Sequence, residues 1–362
     1  MTDTIPGLAI SFLEGLLVLS AVGLALARWC PPRARRPVTA AAATLVALSG
    51  TAVVASGVRW QLVPVLVAAA IAFAIAAPTL WRRRTGPPPR RAPRWLALPG
   101  SAALLGLVAI GPAAAWALPV PVFPEPSGPF RVGTTVRQWT DPGRPELASA
   151  EPDDRRTIVV QLWYPARESP AGVPRSRYLG RTEEEARAVA DALAAYVDAP
   201  GFLLHGARCA RTHAVPDAAV ADGGGRFPVV LFSPGLGGVR TQNTAWAEEL
   251  ASQGYVVAAL DHPYDSAAVV LAGGRTVHTH VAATGDPDED ERLVAGWTAV
   301  RAADLSFTLT QLGRLDRGEI AGPLAGRLDT RRAAATGHSV GGAAALRAAR
   351  QDHRFTAVIN LD

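Results

Sequence analysis

The sequence predicts two structural classes in one chain: an all-α region of four transmembrane helices over residues 1–120, and an α/β unit with a mostly parallel sheet over 155–362. Three observations predict this. Four apolar runs follow one another at 7–27, 39–58, 61–81 and 100–120, each near the roughly twenty residues that a hydrocarbon core requires. Beyond them, short unbroken apolar runs alternate with amphipathic stretches, as strands covered on both faces alternate with the helices that cover them. Finally, GHSVG at 337–341 stands between a strand-like run and AAALRAAR, a strong helix former.

The 49% hydrophobic content and the charge are unevenly spread. All 36 basic side chains are Arg; residues 1–120 hold 11 of them against Asp3 and Glu14, a balance of +9, so the other 25 Arg against 29 acids give −4 and a total of +5. The basic excess belongs to the apolar third, and no nucleic-acid partner is implied. Arg28, Arg33, Arg35 and Arg36 follow the first run; Arg82, Arg83, Arg84, Arg90, Arg91 and Arg94 follow the third; the link after the second has only Arg59. Positive charge marks the cytoplasmic side, so the amino terminus and everything from about 121 onward are expected outside, on an integral plasma-membrane anchor. Cys30 and Cys209 then lie on opposite sides and form no bond with each other. Glu14, inside the first run, is either functional, protonated, or turned to a neighbouring helix.

Residues 121–154, opening on the end of PVPVFPEPSGP, are expected to be a proline-rich spacer and lead-in to the α/β unit. RRTIVVQLWYPA (155–166) alternates and is β-branched, hence a strand. At 182–198, Thr182 caps a helix whose three leading glutamates suit its positive end rather than a metal site. RFPVVLFSPGLGG (226–238), TQNTAWAEELASQG (241–254) and YVVAALD (255–261) read as strand with glycine turn, helix, and strand. A hairpin is expected around LAGGRTVHT. The acidic run 286–291 lacks calcium-loop spacing and leads into an amphipathic helix at 291–315. After the GHSVG unit, FTAVINLD (355–362) is a last strand ending in an acid.

Ser339 is the candidate nucleophile, flanked by Gly337 and Gly341 because a turn this sharp leaves no space for a Cβ. The backbone N–H of Val340 points where a carbonyl oxygen would become negative. In a parallel sheet, reactive groups gather at the carboxyl ends of strands, which here brings the N–H of Leu236, Ser339 and Asp362 together. At GPFRVGT, VQLWYPA, FSPGLGG, RAADLSFTLTQL, GHSVGG and INLD the sequence resembles the α/β-hydrolase family of plasma-type (isoform II) platelet-activating-factor acetylhydrolases, with related bacterial lipases and polyester hydrolases. The resemblance implies an α/β-hydrolase fold with Ser339 as nucleophile, Leu236 and Val340 as backbone oxyanion donors, and Asp362 as triad acid. Pro234 stands where that family commonly has His.

The base is missing. The family order is Ser, acid, then His, and all seven histidines precede Asp362, so the chain is expected to be a fragment lacking its C-terminal strands and triad His. His262, in LDHPYD, is either a substitute base or has a cleft-lining or hydrogen-bonded role. The expected function is a membrane-anchored serine ester hydrolase of short-acyl (phospho)lipid esters, with no metal or organic cofactor. The alternatives are a general carboxylesterase, lipase or polyester hydrolase, a non-catalytic binding module if the chain ends at Asp362, and a sensor or transport role in the four helices.

Overall fold

A computed structural model describes residues 10–81, 94–223, 225–282 and 284–361. The chain divides into two compact units, Met1–Val120 and Pro121–Asp362. In the first, the apolar runs form α1 (Phe12–Leu26), α2 (Pro32–Ser56), α3 (Val63–Trp81) and α4 (Arg94–Ala117). Among the described residues, four spans are long and apolar enough to cross a membrane. Helix α2 starts ahead of the expected 39 because Pro32 at its first turn is preorganised for a helix start. Leu17, Ala21, Ala42, Val46, Val65, Ala69 and Val108 pack together, the small side chains letting backbones approach. Leu19, Leu48 and Ile75 instead face outward at 71%, 65% and 62% exposure, so the unit's exterior is as apolar as its interior.

Glu14 lies in the first turn of α1, where it completes a capping box with Ser11. Its two carboxylate oxygens accept from Nε and Nη2 of Arg59, each at 2.9 Å. The acid is thus turned to a neighbouring segment, satisfied by a cap and a guanidinium fork. Of the arginines expected to mark the cytoplasmic side, those at 82–84, 90 and 91 lie outside the described residues.

The second unit is built on a sheet with strand order β3-β1-β2-β5-β4-β8-β9. The strands are β1 (Arg131–Pro145), β2 (Arg155–Ala166), β3 (Val215–Pro216), β4 (Phe227–Ser233), β5 (Val256–Asp261), β8 (Leu328–Gly337) and β9 (Phe355–Asn360), with β6 (Ala268–Val270) and β7 (Thr276–His278) as a separate hairpin. β1 and β2 pair antiparallel, as do β2 and β5, whereas β5, β4, β8 and β9 run parallel. The sheet therefore begins ahead of 155, with β1 lying within the segment expected to be a spacer and lead-in. Its signal is masked by Gly133, Pro142, Gly143 and Pro145, which a strand near the sheet edge, flanked only by the two-residue β3, tolerates.

The helices are α5 (Glu183–Tyr196), α6 (His205–Cys209), α7 (Thr244–Ser252), α8 (Pro287–Asp316) and α9 (Val340–Gln351). Helix α8 absorbs the acidic run: Asp286 caps it by accepting from Asp288 and Glu289 N–H, and the following acids sit at its positive end. Leu305, Leu309 and Leu312 of α8 and Ala344 and Ala348 of α9 pack on one sheet face with Val160, Leu162 and Leu231. Ala247 and Ala251 of α7 pack on the other with Val230, Phe232 and Val257. Both faces are covered, which is why the parallel strands read as continuous apolar runs.

Candidate active site

Strand β8 passes into α9 with only His338 and Ser339 between them. Ser339 takes φ 53° and ψ −126°, a region that L side chains rarely occupy and that costs about 1–3 kcal/mol. The surrounding packing holds it there. A Cβ on Gly337 would collide with the backbone of Gly341, and one on Gly341 with the carbonyls of Ser233 and Pro234. The elbow is thus pressed between its own helix and the end of β4. Val340 opens α9, where a backbone N–H has no intrahelical acceptor and lies at the positive end of the helix.

β4 and β8 are parallel neighbours with Ser233 opposite Gly337, so both chains leave the sheet at the same edge. His338 N–H donates to Ser233 O at 3.2 Å, tying the elbow to the glycine turn 234–238. A Cβ on Gly235 would come within 2.8 Å of His338 Nδ1 and 3.7 Å of Ser339 Cβ, so glycine is what lets turn and elbow touch. Gly237, at φ 66°, lies against the ring of Tyr196. Leu236 N–H has no acceptor among the described residues. Turn, elbow and helix start are therefore neighbours, and among the described residues two backbone amides there have no partner. Asp362 lies outside the described residues. Leu361 N–H donates to Gly337 O at 2.9 Å, so the chain as far as 361 runs beside the elbow.

Behind the turn is a buried polar cluster that sequence reasoning missed. Ser233 Oγ is 2.9 Å from His262 Nε2, and His262 Nδ1 is 2.8 Å from Asp304 Oδ2. Asp304 also takes Arg156 at 2.6 Å and Arg144 at 2.8 Å. This serine, imidazole and carboxylate imitate a catalytic triad, yet all three residues have 0% exposure, and an ester has no access to Ser233. Burial pushes the His262 pKa down despite the pull of Asp304. Burial alone would raise the Asp304 carboxyl, but Arg156 and then His262 outweigh it and hold it well below the usual carboxylate range. The neutral tautomer that satisfies both neighbours donates from Nδ1 to Asp304 and accepts from Ser233 at Nε2. Of the roles open to His262, the structure shows the hydrogen-bonded one.

The same helix contributes Arg301, also at 0% exposure. Its guanidinium donates to Pro234 O, to Gly235 O at 3.2 Å and to the Asp265 carboxylate at 2.6 and 2.5 Å. Arg240, just past the turn, is held by Asp261 and Glu185. One sequence signal was present: in RAADLSFTL, Arg301 and Asp304 sit three apart on the stripe that continues through Leu305, Thr308 and Leu309, and charges on an apolar stripe mark buried pairing. Among the described residues no imidazole is hydrogen-bonded to Ser339 Oγ, and no group of three or more His, Cys, Asp or Glu converges as a metal site would.

A mixed, largely parallel sheet with a strained serine at the carboxyl edge, facing a glycine turn, defines the larger unit as an α/β protein organised around a serine elbow. The family described as platelet-activating factor acetylhydrolase, isoform II, matches residues 119–292 of the chain. A probable 1-alkyl-2-acetylglycerophosphocholine esterase of Arthroderma benhamiae is 29% identical over 67% of this chain and 58% of its own. The platelet-activating factor acetylhydrolase of Cavia porcellus is 31% identical over 38% of this chain and 35% of its own. The chain thus spans between about a third and three fifths of these relatives' lengths. Among solved structures, a ferulic acid esterase from Streptomyces cinnamoneus is similar at 33% identity and a TM-score of 0.48, over 64% of this chain and 58% of that one.

Proposed function

We propose that this protein is a membrane-anchored serine ester hydrolase of α/β-hydrolase fold that cleaves short-acyl phospholipid or related lipid esters. The observation that carries the reading is Ser339, held at positive φ on a strand-to-helix turn against the glycine turn that bears Leu236. Ser339 Oγ attacks the ester carbonyl, and its proton passes to an imidazole. The carbonyl oxygen becomes an oxyanion and takes hydrogen bonds from Leu236 and Val340 N–H. Collapse breaks the ester C–O bond, the alcohol leaves with the proton, and water releases the acyl group from Ser339.

In this reading Asp362 orients that imidazole, and His262 is not its source, being committed to Ser233 and Asp304. The lipid-ester class rests on the names of the relatives, two of which are an acetylhydrolase and an alkylacetylglycerophosphocholine esterase. Four apolar helices with leucines turned outward support a membrane anchor, which would hold the serine near lipid esters.

The test is labelling of the full protein with a fluorophosphonate, alongside hydrolysis of short- and long-chain ester substrates. Wild type is expected to be labelled and to prefer short acyl chains, and Ser339→Ala to lose both label and turnover. A labelled, active Ser339→Ala protein would refute the assignment.

A further inference from the structure

We propose that Arg301 is a positioning residue for the oxyanion-binding amide of Leu236, holding that amide toward the cleft through the carbonyl of Gly235; this rests on the ester-hydrolase reading above. The argument starts from the peptide bond. In a trans peptide the C=O of one residue and the N–H of the next lie on opposite edges of one rigid plane. Gly235 O and Leu236 N–H share such a plane. Gly235 O accepts from Arg301 Nη2 at 3.2 Å and from Gly238 N–H at 2.9 Å. Pinning that carbonyl toward the guanidinium turns the Leu236 N–H away from it, and that N–H has no acceptor among the described residues.

A turn containing three glycines in five residues, Gly235, Gly237 and Gly238, has little stiffness of its own. Glycine is nevertheless required at 235, where a Cβ would meet His338. The stiffness must come from outside, and α8 supplies it. Arg301 grips two successive carbonyls, Pro234 O and Gly235 O, while Asp265 holds the guanidinium from its other side. Neighbouring Ser233 is held by His262, which follows β5 and is itself held by Asp304 on the same α8 turn as Arg301, so both ends of the 233–235 segment are tied to α8, one directly and one through His262. A charge-assisted bond on a carbonyl also polarises its peptide and strengthens the N–H as a donor. A fully buried arginine is expensive to desolvate, and a purely structural contact here is served as well by apolar packing.

The two accounts differ in kinetics. A donor that acts on the developing oxyanion affects kcat and leaves KM, because the ground-state carbonyl uses it little. In the full protein acting on p-nitrophenyl acetate, Arg301→Lys keeps a cation beside Asp265 but loses the fork. It is expected to lower kcat by about 10²-fold with KM within about threefold of wild type, the loss typical of one oxyanion donor. Inhibition by a trifluoromethyl ketone, which forms an oxyanion on Ser339, is expected to weaken in parallel. The paired change Arg301→Leu with Asp265→Leu leaves no buried charge alone and is expected to show the same split. If Arg301→Lys does not fold, the pair and Asp265→Asn carry the comparison. Wild-type kcat in the folded variants, or a change confined to KM, would overturn the role of Arg301 while labelling of Ser339 still stood. A wild type that neither turns over esters nor labels would remove the ester-hydrolase reading, and this role with it.

Discussion

Ser339 sits at φ 53° not because serine favours that conformation but because β8, α9 and the end of β4 leave the backbone no other path. The strain is local, so its size is measurable. Glycine visits such angles freely, whereas alanine carries the same Cβ clash as serine. We expect Ser339→Gly to be more stable than Ser339→Ala by about 1–2 kcal/mol in denaturant unfolding, with both proteins inactive. Equal midpoints would mean that the elbow is unstrained. Glu14 is a second case in which a residue is explained by its partners: a costly acid in an apolar run is satisfied by Ser11 and Arg59.

At the scale of elements, α8 is more than a cover for the sheet. Its Leu305, Leu309 and Leu312 pack on the core, and one turn of it, Arg301 to Asp304, holds the segment that precedes Leu236. The imidazole of His262, buried against Asp304 of α8, gives a pH dependence whose sign is determined. The folded His262 pKa is lowered below its ordinary 6.5 and the Asp304 pKa below its ordinary 3.8, so in both cases the unfolded chain takes up a proton that the folded one refuses. Stability is therefore full above the unfolded pKa and is lost as pH falls, beginning near 6.5 for His262 and below 3.8 for Asp304. We expect the Tm to drop between pH 7 and pH 5, and His262→Gln, which keeps a donor and an acceptor but does not titrate, to flatten that drop. An unchanged slope in His262→Gln would place the titration elsewhere.

For the whole molecule, the charge division matters more than the total. The +9 of residues 1–120 and the −4 of the remainder give a basic apolar unit and an acidic α/β unit. If the helices cross a bilayer with the arginines inside, the protein stays with membranes in alkaline carbonate, and protease added to intact cells cleaves it beyond residue 121. Release by carbonate would refute the anchor, and full protection the orientation.

Most of the elements could be read from the chain, because period, caps and breakers are properties of neighbours in sequence. The four apolar helices, the parallel strands, the capped α5 and the strand-to-helix turn at Ser339 were all visible this way, as was the pairing of that turn with the glycine turn at 234–238. β1 was not: its prolines and glycines hide a strand that only its partner β2 makes evident. Nor were the buried pairings, which join residues 42 apart for His262 and Asp304, 66 apart for Arg301 and Gly235, and 148 apart for Arg156 and Asp304. A sequence carries the period of a helix because that period is local. Which carbonyl an arginine on that helix will reach is decided only when distant segments pack, since the two lie tens of residues apart along the chain.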